Sequence, residues 1–173
     1  MNEPRVVLVP LRDEDSDALF AWINDRELVQ LSSAFEPVGE EAHRSWFDAI
    51  RDRDDVVIFG IRERASDRLV GSCQLLEIDR RHRTAKLQIR IGEPDARDRG
   101  LGTESVRLLV RHGFEELGLE RIELDAFATN ARAIAAYEKA GFSREGTRRA
   151  AVEIEDERVD VALMGILREE WRA

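Results

Sequence analysis

The chain has 173 residues, 43% of them apolar, with three histidines, one cysteine and a formal net charge of −9. That length supports a buried core of useful size, and residues 1–173 are read as one domain. The acidity disfavours nucleic acid, whose phosphates would be repelled, and no apolar run reaches membrane-spanning length or forms a signal-peptide core. The expected setting is therefore cytoplasmic, with no membrane partner. A lone Cys73 excludes an intrachain disulfide and a thiolate cage, and the scattered histidines match no metal-ligand spacing, so no metal is expected.

In chain order, Arg5 to Leu11 (RVVLVPL) predicts a short strand rich in valine. Asp13, Glu14 and Asp15 then read as cap and first-turn acids of a helix carrying Leu19, Trp22 and Ile23. A turn-like stretch from Ser32 to Gly39 breaks that pattern. A second helix is predicted from Glu40, with Ala42, Trp46, Phe47 and Ile50 on one face. Two strands follow, Val56 to Arg62 and Leu69 to Asp79, the second placing Cys73 as a small core residue. In Ala85 to Ile91, apolar residues alternate with Lys86, Gln88 and Arg90, which is strand patterning. The short links between these strands imply antiparallel pairing.

The period then changes. Val106, Leu109, Val110, Phe114 and Leu117 recur at helical spacing up to Gly118. Arg121 to Phe127 alternates again, so strand, helix and strand form a crossover whose two strands are parallel. A helix from Asn130 to Ala140 stops at Gly141, and two strands, Phe142 to Ile154 and Val159 to Leu167, close the chain. The expected fold is α/β in the α+β sense. It has a mixed, mostly antiparallel sheet of six or seven strands, one central parallel step and about four helices. Strands and helices do not alternate throughout, which excludes a doubly wound sheet.

Two segments carry chemistry. RDRGLGTESV, from Arg97 to Val106, lies where the third antiparallel strand gives way to the long helix. Glycine there lets backbone approach a ligand, free N–H groups at a helix start attract an anion, and Arg97, Arg99 and Thr103 add charge and a hydroxyl. A packing turn with solvated arginines accounts for the same letters. The missing G-K-[ST] and the missing third glycine exclude a P-loop and a dinucleotide fingerprint. The second segment, NARAIAAYEKAGF from Asn130 to Phe142, reads as a core-facing helix with a glycine stop, and it holds Tyr137, the chain's one tyrosine.

Together the segments resemble the GNAT superfamily of acetyl-CoA-dependent N-acetyltransferases. Its pyrophosphate loop, [QR]-x-x-G-x-[GA], stands here as Arg97-Asp98-Arg99-Gly100-Leu101-Gly102. Its later motif is met by Asn130, Ala133 and Tyr137-Glu138-Lys139-Ala140-Gly141-Phe142. The resemblance implies acetyl-CoA as the acetyl donor, its pyrophosphate held by backbone N–H groups from Arg97 through Thr103. It implies that the strand Leu87, Gln88, Ile89, Arg90 and Ile91 splays from its parallel neighbour and pairs with the pantetheine amides. Asn130 and Ala133 would line the cofactor arm, and Tyr137 would protonate the leaving thiolate. A backbone N–H near Ile89 would polarise the thioester carbonyl, and Glu77 is the candidate base or water-holder.

The start of the chain looks like the RimJ/RimL-type branch. QLLEIDRRHRTAKLQIRI and EGTRRAAVEIEDERVDVALM resemble bacterial spermidine/spermine acetyltransferases, and Glu36, Glu40 and Glu41 echo an acidic segment near their polyamine sites. Lys86 and Gln74 stand where that group is expected to carry acids, which counts against a polyamine. The acceptor is thus a small-molecule amine such as spermidine, an amino-sugar amine or a protein N-terminus. An acetyl-CoA-sensing module is the non-enzymatic alternative. Relatives that pair through terminal strands make a homodimer the default assembly.

Overall fold

The computed structural model describes residues 3–171. Seven strands form one sheet in the order β1-β2-β3-β4-β5-β7-β6. They are β1 (Val6–Pro10), β2 (Val57–Glu63), β3 (Leu69–Asp79), β4 (Thr84–Ile91), β5 (Arg121–Phe127), β6 (Ser143–Ile154) and β7 (Glu157–Leu167). Every neighbouring pair is antiparallel except β4 and β5. Among the described residues there are also five α-helices: α1 (Ser16–Ile23), α2 (Arg26–Val29), α3 (Glu40–Ile50), α4 (Leu101–Glu115) and α5 (Ala131–Ala140). The expected class and parallel step are those observed, and no helix among the described residues is long and apolar enough to cross a membrane.

The alternation of β3, β4 and β5 sends two sets of side chains to opposite faces. Leu75, Ala85, Leu87, Ile122 and Leu124 join Val106, Leu109, Val110 and Phe114 of α4 in the main core. Fully burying one such side chain contributes about 1.5–3 kcal/mol, so this layer fixes α4 against the sheet. On the other face Leu19, Trp22, Leu28 and Phe47 make a second cluster with Leu11. Cys73 is buried in the first core, as expected, and burial pushes its thiol well above the ordinary value.

Two local readings are corrected. Arg26–Val29 forms a one-turn helix, capped by the Asp25 side chain accepting from the Leu28 N–H at 3.1 Å. Four residues are too few for a helical period to be visible. Asp13, Glu14 and Asp15 form a 3-10 turn before α1, and Asp15 is not a solvated first-turn acid. It is buried, accepts from the Arg12 N–H at 2.8 Å and pairs with the equally buried Arg62 of β2.

Candidate active site

Pairing between β4 and β5 covers only Thr84↔Arg121, Ala85↔Ile122 and Lys86↔Glu123. Beyond Lys86 the strands part. β4 continues to Ile91 bonded to β3 alone, while β5 continues to Phe127 bonded to β7 alone. One edge of Leu87–Ile91 therefore presents backbone N–H and C=O groups that no strand uses, in the middle of the sheet. A cleft of about 770 Å³ opens there, lined in part by Glu77, Leu87, Gln88, Ile89, Arg90 and Tyr137.

β4 leads through a short 3-10 turn (Pro94–Ala96) into the loop from Arg97 to Gly100 and then α4. Gly100 caps α4 with φ +78, a left-handed conformation that side chains resist. The first intrahelical bond runs from the Glu104 N–H to the Gly100 carbonyl, so the N–H groups of Leu101, Gly102 and Thr103 precede the helical ladder. A Cβ built at Gly102 would meet only Ile91 Cγ1, at 3.6 Å. The glycine is therefore not required by packing within the chain; it leaves room beside free N–H donors. That is the geometry of an anion cradle.

The loop arginines do not serve it as expected. Arg97 turns back to donate to the Ile91 carbonyl at 3.2 Å and the Gly92 carbonyl at 2.7 Å. Arg99 donates to Glu63 at 2.8 Å. Both guanidiniums hold the loop in place, and the cradle is left to backbone amides. Asp98 is bound by Arg132 at 2.9 Å, tying the loop to the first turn of α5.

Tyr137 is half-buried on α5, its ring packed edge-on to Phe142 at a centroid distance of 6.1 Å. Burial pushes its phenol up to about 12. Asn130 caps α5 by accepting from the Ala133 N–H and also donates to the Leu31 carbonyl, both at 3.1 Å. Asn130 and Ala133 thus stand at the start of α5, outside the residues lining the cleft, as do Ile91 and the loop itself.

Glu77 does line the cleft. It sits at a β-bulge where the β3–β4 register shifts, with φ +51, and such a bulge re-aims a side chain. Its carboxylate lies 2.8 Å from Lys86 Nζ and holds that ammonium above its ordinary value. The cation expected to repel a polyamine is therefore half-neutralised from within. Glu36, Glu40 and Glu41 do not line the cleft, and Glu40 is ion-paired with Arg44 at 2.6 Å on the outer side of α3.

The floor of the cleft lies on one face of β3 and β4, where Ser72 stands opposite Arg90, Gln74 opposite Gln88, and Leu76 opposite Lys86. Gln74 donates to Gln88 at 2.8 Å. Asp125 of β5, also lining the cleft, pairs with Arg148 of β6. The sequence motifs point to Arg90 only through its backbone, not through its guanidinium. Its place on the face shared with Lys86 and Gln88 was the available signal.

Residues 5–143 match the family described as "Acetyltransferase (GNAT) domain", and the chain belongs to that family of acetyl-transferring enzymes. It is similar to the probable N-acetyltransferase YjcK of Bacillus subtilis (strain 168), with 33% identity over 140 residues, 81% of this chain and 77% of the other. It is likewise 33% identical over 115 residues, 60% of this chain and 61% of the other, to the spermidine N(1)-acetyltransferase of Escherichia coli (strain K12). Its fold matches that of the Vibrio cholerae spermidine N-acetyltransferase, solved in complex with CoA and spermine. There the TM-score is 0.88 at 23% identity, covering 97% and 98% of the two chains.

Proposed function

We propose that the protein transfers the acetyl group of acetyl-CoA to a primary amine by direct attack. The observation that carries this reading is the unused edge of β4 running into a helix start that glycine leaves open, beside a cleft holding Tyr137. The pantetheine amides would add to Leu87–Ile91 as a further strand. The pyrophosphate would take the N–H groups before and within the first turn of α4. All of this is backbone chemistry, which explains why the loop can commit Arg97 and Arg99 elsewhere.

The neutral amine attacks the thioester carbonyl carbon, and a backbone N–H near Ile89 stabilises the charge that develops on its oxygen. The C–N bond forms and the C–S bond breaks. The Tyr137 phenol gives its proton to the departing thiolate, yielding the amide and free CoA. The proton lost by the nitrogen leaves through water ordered by Glu77, and the Tyr137 phenolate regains a proton from solvent. Paired with Lys86, Glu77 would orient that water.

The likeness to spermidine acetyltransferases favours a polyamine. The cleft favours it less, since Lys86, Arg90 and two glutamines line the floor and Glu36, Glu40 and Glu41 lie elsewhere. The decisive test is thiol release from acetyl-CoA with a panel of polyamines, amino sugars, amino acids and short peptides. Amine-dependent release supports the reading. Tight CoA binding with no release from any amine would assign the chain to donor sensing instead.

A further inference from the structure

Five charged side chains line the cleft, and four of them are spoken for. Glu77 pairs with Lys86, and Asp125 pairs with Arg148. Arg90 is the fifth. Among the described residues its guanidinium lies within ion-pairing distance of no carboxylate and makes no side-chain hydrogen bond, although its side chain is half withdrawn from water. Asp25, whose charge acts on Arg90, uses its carboxylate to cap α2.

This isolation is unusual within the molecule. The other arginines that are not fully exposed are all engaged: Arg12 with Asp67, Arg62 with Asp15, Arg97 with two carbonyls and Arg121 with Glu145. The arginines without partners elsewhere, such as Arg81, Arg111 and Arg149, are exposed and fully hydrated. Removing a guanidinium from water costs free energy unless something replaces the water. Burial accordingly lowers Arg90 from its ordinary value, with Asp25 offsetting only part of that. It remains charged at any working pH.

We infer that the acceptor is a small primary amine that also carries an anionic group, a carboxylate or a phosphate, which Arg90 binds while the amine faces the thioester. This rests on the acetyl-transfer reading above and narrows its substrate class. The fork of the guanidinium suits a two-oxygen anion, and Ser72 beside it offers a hydroxyl to the same group. A polyamine would put a second cation against Arg90 and gain nothing from it.

Matched acceptors test this directly in the full-length protein: ethylamine against glycine and β-alanine, ethanolamine against phosphoethanolamine, and spermidine. The carboxylate and phosphate arms show which anion is taken. We expect kcat/KM for the anionic member to exceed that of its plain partner by roughly 10- to 100-fold, the worth of a charge-assisted hydrogen bond. Arg90→Gln should collapse that ratio towards unity, and Arg90→Lys should restore part of it. Turnover confined to plain amines or spermidine would overturn the inference and leave acetyl transfer standing. Failure of every amine would take the transfer reading down with it. Loss of acetyl-CoA affinity in Arg90→Gln, with the acceptor ratio intact, would move Arg90 to the donor's phosphates and also overturn the inference.

Discussion

The Glu77 carboxylate, at a bulge of β3, meets the Lys86 ammonium of β4 at 2.8 Å, at the last rung before β4 and β5 part. In the proposed reaction the pair would bear on the proton path, and it contributes to the charge of the floor. Glu77→Gln should lower kcat about tenfold or more, with acetyl-CoA KM little changed, if Glu77 orders the water that accepts the amine proton. Equal kcat in the variant would remove Glu77 from the chemistry. Lys86→Glu should raise kcat/KM for spermidine about fivefold, the worth of one exposed ion pair. No gain would mean that floor charge does not govern acceptor choice.

Tyr137→Phe should cut kcat by about 100-fold or more, as loss of a positioned acid does, while donor affinity stays put. A phenol pushed up to about 12 stays protonated through the alkaline range. The wild-type rate should therefore rise as the amine deprotonates and then hold level to about pH 10, with no fall assignable to Tyr137. A descending limb near pH 8 that vanishes in Tyr137→Phe would contradict this.

Gly102→Val separates the cradle from the fold. Its Cβ has only Ile91 Cγ1 nearby, at 3.6 Å, so thermal stability of the apoprotein should change little while CoA affinity falls by about 100-fold or more. Gly100→Val is the poorer probe: at φ +78 it strains the backbone by about 1–2 kcal/mol whether or not a ligand binds. Unaltered CoA affinity in Gly102→Val would move the pyrophosphate to another site.

Asp15→Ala leaves buried Arg62 with the exposed Glu14, at 3.8 Å, as its remaining carboxylate, and with the Asp67 carbonyl, at 2.8 Å, as a neutral acceptor. An orphaned buried charge costs about 3–5 kcal/mol, readable as a lower urea midpoint. A loss under about 1 kcal/mol would show that water reaches Arg62 and that the pair is not sealed.

What the sequence made legible was whatever depends on neighbours along the chain. Strand and helix periods located β3, β4, β5 and α5 to within a residue or two, and Gly100, Gly102 and Tyr137 stood out through the resemblance of their segments to GNAT motifs. What stayed hidden depends on partners far away. Asp15 looks like a helix-start acid until Arg62, on a strand of the sheet, is seen beside it. Arg97 looks like a phosphate ligand until its side chain is found folded back on β4. Glu40 looks like a polyamine contact until α3 turns it outward to Arg44. The isolation of Arg90 was least visible of all, because it consists of contacts that are not made.

The parting of β4 and β5 has a thermodynamic side as well. An edge at the rim of a sheet can be shielded by short strands or charge, but this one is interior, and apart from the Ile91 carbonyl, which accepts from Arg97, its backbone is left to water. A ligand that replaces this water completes the sheet and binds only the native state, adding stability by mass action, about 2.7 kcal/mol at 100 times its dissociation constant. Melting temperature should thus climb with acetyl-CoA concentration in the wild type and stay level in Gly102→Val. The molecule's resistance to unfolding becomes a gauge of how much donor surrounds it.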